Sequence, residues 1–309
     1  KLLEEGHPEA EEYWRDFRAL SLENYQRLYN LLGIEFDYYH GESHYNQLLE
    51  QVIDLVKEKG IALESEGALV VDLEKYGLPS CLLRKKDGAT LYITRDIAAA
   101  IYRYQQFRFD KALYVVGAEQ KLHFEQLFKI LELLGFDWAR NLVHVPFGLI
   151  RFKGGKMSTR EGKMILLEEV LEKAISMARE IIEEKNPGLK NKQQVALSVG
   201  LGAVRFGDLS NDRIKDIEFD WNKVMDFAGE TASYVQYSHA RICSILRKAS
   251  PPGPEKTGEL IGLLKEDEET TLLKLLSGLP EVVLRAAEGY RPSIIARYLL
   301  DVSREFNRF

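Results

Sequence analysis

Cysteine is scarce: the 309 residues hold only Cys81 and Cys243. They lie far apart and form no ligand spacing, which argues against a disulfide framework or a cysteine zinc site. Long hydrophobic runs are missing too. No apolar stretch approaches the roughly 20 residues that a membrane span needs, and no secretory leader is visible. A cytoplasmic protein without a membrane partner is expected. Nor is there an excess of positive charge. A net charge of −6 is not the basic footprint of a general nucleic-acid binder, so an RNA partner has to be met by local patches. Nothing provides a dedicated metal cage. The first residue is Lys1 rather than methionine, which leaves a fragment open.

What is present is a soluble globular composition, 45% hydrophobic and 29% charged, in a length that suits about two domains. The most distinctive stretch is Gly154-Gly155-Lys156-Met157-Ser158-Thr159-Arg160-Glu161-Gly162-Lys163-Met164. Its glycines let main-chain amides approach an anion, and Lys156, Arg160 and Lys163 supply charge. Two readings stand: a phosphate-handling loop for a nucleoside triphosphate, or a solvated basic connection.

Periodicity predicts a helix over 8–32 capped by Gly33, a strand over 34–39, and a helix over 45–59 closed by Gly60. His40 and His44 lie on a polar turn between the last two and carry no assigned role. A hairpin is expected from Cys81–Arg84 and Thr90–Thr94 about a Lys86-Asp87-Gly88 turn. Asp96 follows it at the head of a helix-forming run. It is either an N-cap or a carboxylate that converges with Tyr92 on one pocket, where it would suit a guanidinium. A buried parallel strand over 112–117 and a helix over 121–134 make a βα unit with Gln120 and His123 at its junction. A strand over 142–150 then enters the glycine-and-lysine loop. A parallel sheet of this kind delivers Tyr92, Asp96, Gln120, His123 and Lys156 to one carboxyl edge. Beyond the loop, helices are expected over 166–185, 193–206 and 223–248. After the break at Pro251-Pro252-Gly253-Pro254 only helical patterns remain.

Several separated motifs taken together resemble the arginyl-tRNA synthetases of class I. They are Asp37–Ser43, Tyr92-Ile93-Thr94-Arg95-Asp96, Val115 through His123, the Lys156–Gly162 loop with its Lys-Met-Ser, Ala203-Val204-Arg205-Phe206, Phe219-Asp220-Trp221, and Tyr237-Ser238-His239-Ala240-Arg241. The resemblance implies a partial Rossmann-like α/β catalytic domain over 1–222 and a partial all-α anticodon-binding bundle over 223–309. It implies that Tyr92, Asp96 and Gln120 line an arginine pocket. His123, Lys156, Ser158 and Arg160 would serve ATP, and Lys156, Met157 and Ser158 form the catalytic loop. The implied reaction joins L-arginine to tRNA(Arg) through an arginyl-adenylate, with Mg2+ accompanying ATP, in a monomer.

Two departures qualify the resemblance. Thr159 stands where the widespread class I loop has a second lysine, as is usual for this family. The His-x-Gly-His signature of class I enzymes occurs nowhere in the sequence. The chain is therefore expected to be cut at the front and inactive alone, the alternative being a non-catalytic tRNA-binding relative.

Overall fold

A computed structural model describes residues 7–152, 166–224, 226, 229–249 and 262–309. Helix α1 (Pro8–Leu32) opens on a proline, whose missing N–H costs nothing in a first turn, and stops at Gly33, which takes the left-handed conformation at φ 63. Only its end is covered. Leu28, Leu31 and Leu32 pack against Leu171 and Leu201, while Phe17 and Leu20 of the same apolar stripe stay exposed.

The expected strand over 34–39 does not form. Its aromatic residues are used as rings instead: Phe36 meets Tyr29 edge-on at 5.0 Å and Tyr38 meets Phe107 at 4.8 Å, which overrides their β-propensity. The helix expected over 45–59 divides into a 3-10 segment, Glu42–Leu48, and helix α2 (Leu49–Glu58).

Strands β1 (Ala62–Ser65), β2 (Ala68–Val71) and β3 (Cys81–Arg84) form an antiparallel sheet. The turn at 86–88 is as expected, with Lys85 N–H donating to Ala89 O at 2.8 Å and Gly88 at φ 84. Pairing beyond it stops at one bridge, Arg84 to Thr90. The chain then enters helix α3 (Tyr92–Phe107), whose N-cap is Leu91. Burial decides this: Ile93, Ile97, Ala98 and Ala100 recur at helical spacing in the core, and the Thr94 hydroxyl donates to Leu83 O at 2.7 Å. The N-cap reading of Asp96 is thereby overturned, because Asp96 lies in the second turn.

Strand β4 (Ala112–Gly117), helix α4 (Lys121–Leu133) and strand β5 (Leu142–Phe147) make the expected βαβ unit, with the two strands parallel and in register from Ala112–Leu142 to Gly117–Phe147. Strand β4 is not buried on both faces, since Leu113 is 47% and Val115 65% exposed. The strand expected over 142–150 breaks at Gly148. Beyond it β6 (Ile150–Phe152) pairs with β7 (Ile217–Phe219), also in parallel. A side chain at Gly148 would put its Cβ 2.5 Å from Lys215 O, so only glycine fits this crossing.

The first core joins α2, α3 and α4 to the antiparallel sheet through Ile53, Val56, Leu83, Ile97, Leu127 and Leu131. A second lies between α5 (Leu167–Lys185) and α6 (Lys192–Leu209), where Ala174, Ala178, Ala196 and Ala203 let the backbones approach closely. The helix expected over 223–248 is not continuous. A short turn, α7 (Trp221–Val224), precedes α8 (Ala232–Lys248), and Thr231 stands in extended conformation at the junction with its hydroxyl donating to Asp226 O at 2.5 Å. The tail is helical as expected: α9 (Asp267–Ser277), α10 (Leu279–Glu288) and α11 (Pro292–Arg308). Helix α11 lies against α8, where Asn307 Nδ2 donates to Ser238 Oγ at 2.7 Å, and Glu230 pairs with both Arg297 and Arg304.

Candidate active site

The first turns of α3 and the start of α4 each carry two of the side chains singled out by sequence. Tyr92 and Asp96 are four residues apart on α3 and so share a face, and Gln120 and His123 are three apart across the 3-10 turn that leads into α4. The two pairs are joined at one point. His123 Nε2 lies 2.7 Å from Asp96 Oδ2, with the imidazole 21% and the carboxylate 37% exposed. An ionised carboxylate only accepts, so the imidazole N–H is the donor.

The beginning of helix α3 at Tyr92 is what makes this contact available. An Asp at the N-cap would spend its oxygens on backbone amides, whereas in the second turn its carboxylate points off the helix toward α4. Below it, Arg103 stands two turns further along α3, 5.8 Å from the Tyr45 ring and 5.5 Å from the Tyr114 ring. Burial pushes the Tyr114 phenol above its ordinary value; Arg103 pulls it back, and Asp96 adds to the rise. Burial also works against the charge of Arg103, but Tyr114 and Tyr45 more than offset it, and the guanidinium stays charged. Arg103, Tyr45 and Tyr114 were not picked out from sequence. The seven-residue spacing from Asp96 to Arg103 on one helix was the signal for Arg103.

His123 is packed rather than free. Its ring meets Phe124 edge-on at 5.3 Å, Phe124 stacks on His144 at 4.5 Å, and His144 Nε2 lies 3.0 Å from Val116 O near the end of β4. This stack ties the imidazole to the carboxyl end of the parallel pair, the edge at which ligands meet open α/β sheets. Tyr92 is 69% exposed and lines a cleft with Trp14, Asn46, Lys85 and Arg95. Gln120 is exposed beside Gly117. The site therefore offers a fixed carboxylate with capacity left to accept from a cationic group, and an imidazole beside it. Lys156, Met157, Ser158 and Arg160 lie outside the described residues. Among the described residues no three His, Cys, Asp or Glu side chains gather to hold a metal ion, and no helix is long and apolar enough to cross a membrane.

Known proteins agree with this architecture. Residues 1–221 match the family of class I (R) tRNA synthetases, catalytic domain, and residues 235–309 match the DALR anticodon binding domain. Arginine–tRNA ligase 1 of a Bacillus cereus strain is 53% identical over 309 residues, which are 100% of this chain and 54% of the relative. The arginine–tRNA ligase of Halothermothrix orenii is 47% identical over 307 residues, 99% of this chain and 54% of the relative. The chain thus spans about half the length of the curated relatives it matches. Among solved structures, the Thermus thermophilus arginyl-tRNA synthetase superposes with a TM-score of 0.85 at 27% identity, covering 99% of this chain and 56% of that one. The Plasmodium falciparum enzyme shares the fold at a TM-score of 0.87 and 24% identity, covering 99% and 53%. A Rossmann-like part followed by a helical part, with the catalytic-domain match running through residue 221, leads to one conclusion: this chain belongs to the class I (R) tRNA synthetase family.

Proposed function

We propose that the complete protein is an arginine–tRNA ligase that activates L-arginine with ATP to arginyl-adenylate and passes the arginyl group to the terminal ribose of tRNA(Arg). Use of ATP follows from the family. The single observation that carries the arginine assignment is the Asp96–His123 contact at 2.7 Å. A carboxylate held from one side by an imidazole keeps its other lone pairs directed outward, where the planar fork of a guanidinium can take them. Tyr92, four residues before Asp96 on α3, and Gln120, three before His123, are the side chains we assign as walls of the arginine pocket.

In this reading His123 belongs to both halves of the site, because it orients Asp96 through Nε2 while standing at the helix start that faces ATP. The ATP phosphates are served by Lys156, Ser158 and Arg160, with Lys156, Met157 and Ser158 as the catalytic loop. The chemistry needs no covalent bond to the enzyme: the substrate carboxylate attacks the α-phosphate, pyrophosphate leaves, and the enzyme contributes positioning and charge stabilisation. Mg2+ is assigned to ATP itself, and no step is routed through it. The catalytic domain is placed at 1–222 and the tRNA-binding helical domain at 223–309, in a cytoplasmic monomer.

ATP–pyrophosphate exchange by the complete protein, assayed with each amino acid in the presence of tRNA, tests the proposal. Exchange with arginine alone is expected. Exchange with another amino acid, or none with any, would end the assignment.

A further inference from the structure

Arg213 joins three parts of the molecule that are distant in sequence. Its Nη1 donates to Pro146 O near the end of β5 at 2.5 Å, its Nε to Tyr290 O at 2.8 Å, and its Nη2 reaches Gly289 O at 3.5 Å. Gly289 and Tyr290 form the corner between α10 and α11. Its own carbonyl is also used, accepting from Gly148 N–H at 2.7 Å. One residue therefore holds the end of the parallel pair, the glycine crossing that follows it, and a corner of the helical tail.

The corner has the character of a fixed joint. Tyr290 stands at φ 50, a region that side chains other than glycine rarely adopt, so the surroundings must over-determine it. Besides Arg213, Lys111 at the entrance to β4 sits 5.6 Å from the Tyr290 ring. Both strands of the parallel pair thus hold the same corner. On the other side, Asp216, three residues after Arg213, accepts from Leu149 N–H at 2.9 Å and from Arg151 at 2.6 Å. A planar guanidinium satisfies several carbonyls in set directions, which an ammonium on a flexible stem does not.

We infer that Arg213 is a positioning residue for tRNA charging: it fixes the helical domain against the parallel strands, so that tRNA held by the helices is aligned with the site at Asp96 and His123. The inference rests on the proposed ligase activity, with the helices as the tRNA-binding part, and adds a residue that touches neither substrate nor reacting atoms.

The test compares Arg213→Ala and Arg213→Lys in the complete protein. The expected result is a kcat for tRNA charging at least tenfold lower in Arg213→Ala, with apparent affinities for ATP and arginine within twofold of wild type. Arg213→Lys, which can reach only part of the carbonyl set, falls between, and added guanidinium ion partly restores Arg213→Ala. Hydrogen exchange supplies a readout free of activity: the Tyr290 and Arg291 amides exchange at least tenfold faster in Arg213→Ala, while those of α5 do not change. Unchanged charging together with unchanged exchange at the corner would overturn the inference. So would equal losses in charging and in ATP and arginine affinity, which mark general disruption. If the wild type charges no tRNA, the ligase proposal fails separately, and unchanged corner exchange would then still refute the joint.

Discussion

His123 donates to Asp96 across the gap between α4 and α3, and the 2.7 Å contact is the point at which the two helix starts meet. If its purpose is to orient the carboxylate, a side chain that keeps a donor at that place should preserve arginine use. His123→Gln is therefore expected to hold the apparent arginine affinity within about threefold, while His123→Ala weakens it by roughly tenfold, near the 1 to 1.5 kcal/mol of one hydrogen bond. Equal arginine affinities in the two variants would show that the imidazole does not orient Asp96.

Helices α5 and α6 touch through their backbones. A Cβ at Gly200 would lie 2.7 Å from both Cα and N of Ile175, and these are main-chain atoms that cannot turn aside. Gly200→Ala is expected to lower unfolding stability by about 1 to 3 kcal/mol through forced separation of the pair, despite the better helix propensity of alanine. Chemical denaturation of both proteins measures it, and a stabilised variant would show that the helices part easily.

Burial in the sheet core pushes the Cys81 thiol from 9.0 up to about 11. Below pH 9 the thiol is protonated in both folded and unfolded chains and has no effect. Between pH 9 and 11 the unfolded chain ionises while the folded one resists, so stability falls as pH rises, by about 2 to 3 kcal/mol in total. Denaturation midpoints of wild type and Cys81→Val, followed from pH 8 to 11, should diverge in that window, with the variant losing less. Parallel curves would place the thiol in a wetter site.

At the acid end, Glu50 is held below its ordinary value by its hydrogen bond to Arg84, against a smaller opposing effect of burial. A depressed carboxylate stabilises above its unfolded value of 4.5 and loses that contribution as pH falls through the lower folded value. Glu50 is 73% exposed, so solvent screening limits the gain to under about 1 kcal/mol. Glu50→Gln should be slightly less stable at pH 7, with the difference from wild type shrinking as pH falls below 4.5. A difference that does not change with pH would assign the effect to packing.

The helices and the βαβ unit were readable because apolar residues recur at helical spacing from Ile93 to Ala100 and from Phe124 to Leu131, and because Gly33, Gly60 and Gly135 stand where chains must turn left-handed. What misled was local preference set against tertiary demand. Tyr92-Ile93-Thr94 has strand composition, yet Ile93 and Thr94 reach the core only when the run is helical. Phe36 and Tyr38 have strand composition too, but their rings pack on α1 and α3. The residues around the site were half visible. Tyr92, Asp96, Gln120 and His123 stand out by motif, whereas the Asp96–His123 contact and the reach of Arg213 to Tyr290 join residues 27 and 77 positions apart, and no local pattern encodes such a distance.

Asp96→Asn tests the central claim most directly, because it removes charge from the carboxylate and keeps its shape. Apparent affinities for arginine and for ATP should be measured side by side in pyrophosphate exchange by the complete protein. Losing a charge-assisted pair to a guanidinium costs about 2 to 3 kcal/mol, so arginine affinity is predicted to fall roughly 30- to 140-fold while ATP affinity stays within twofold. Wild-type arginine affinity in Asp96→Asn would contradict the assignment of Asp96 to the arginine pocket.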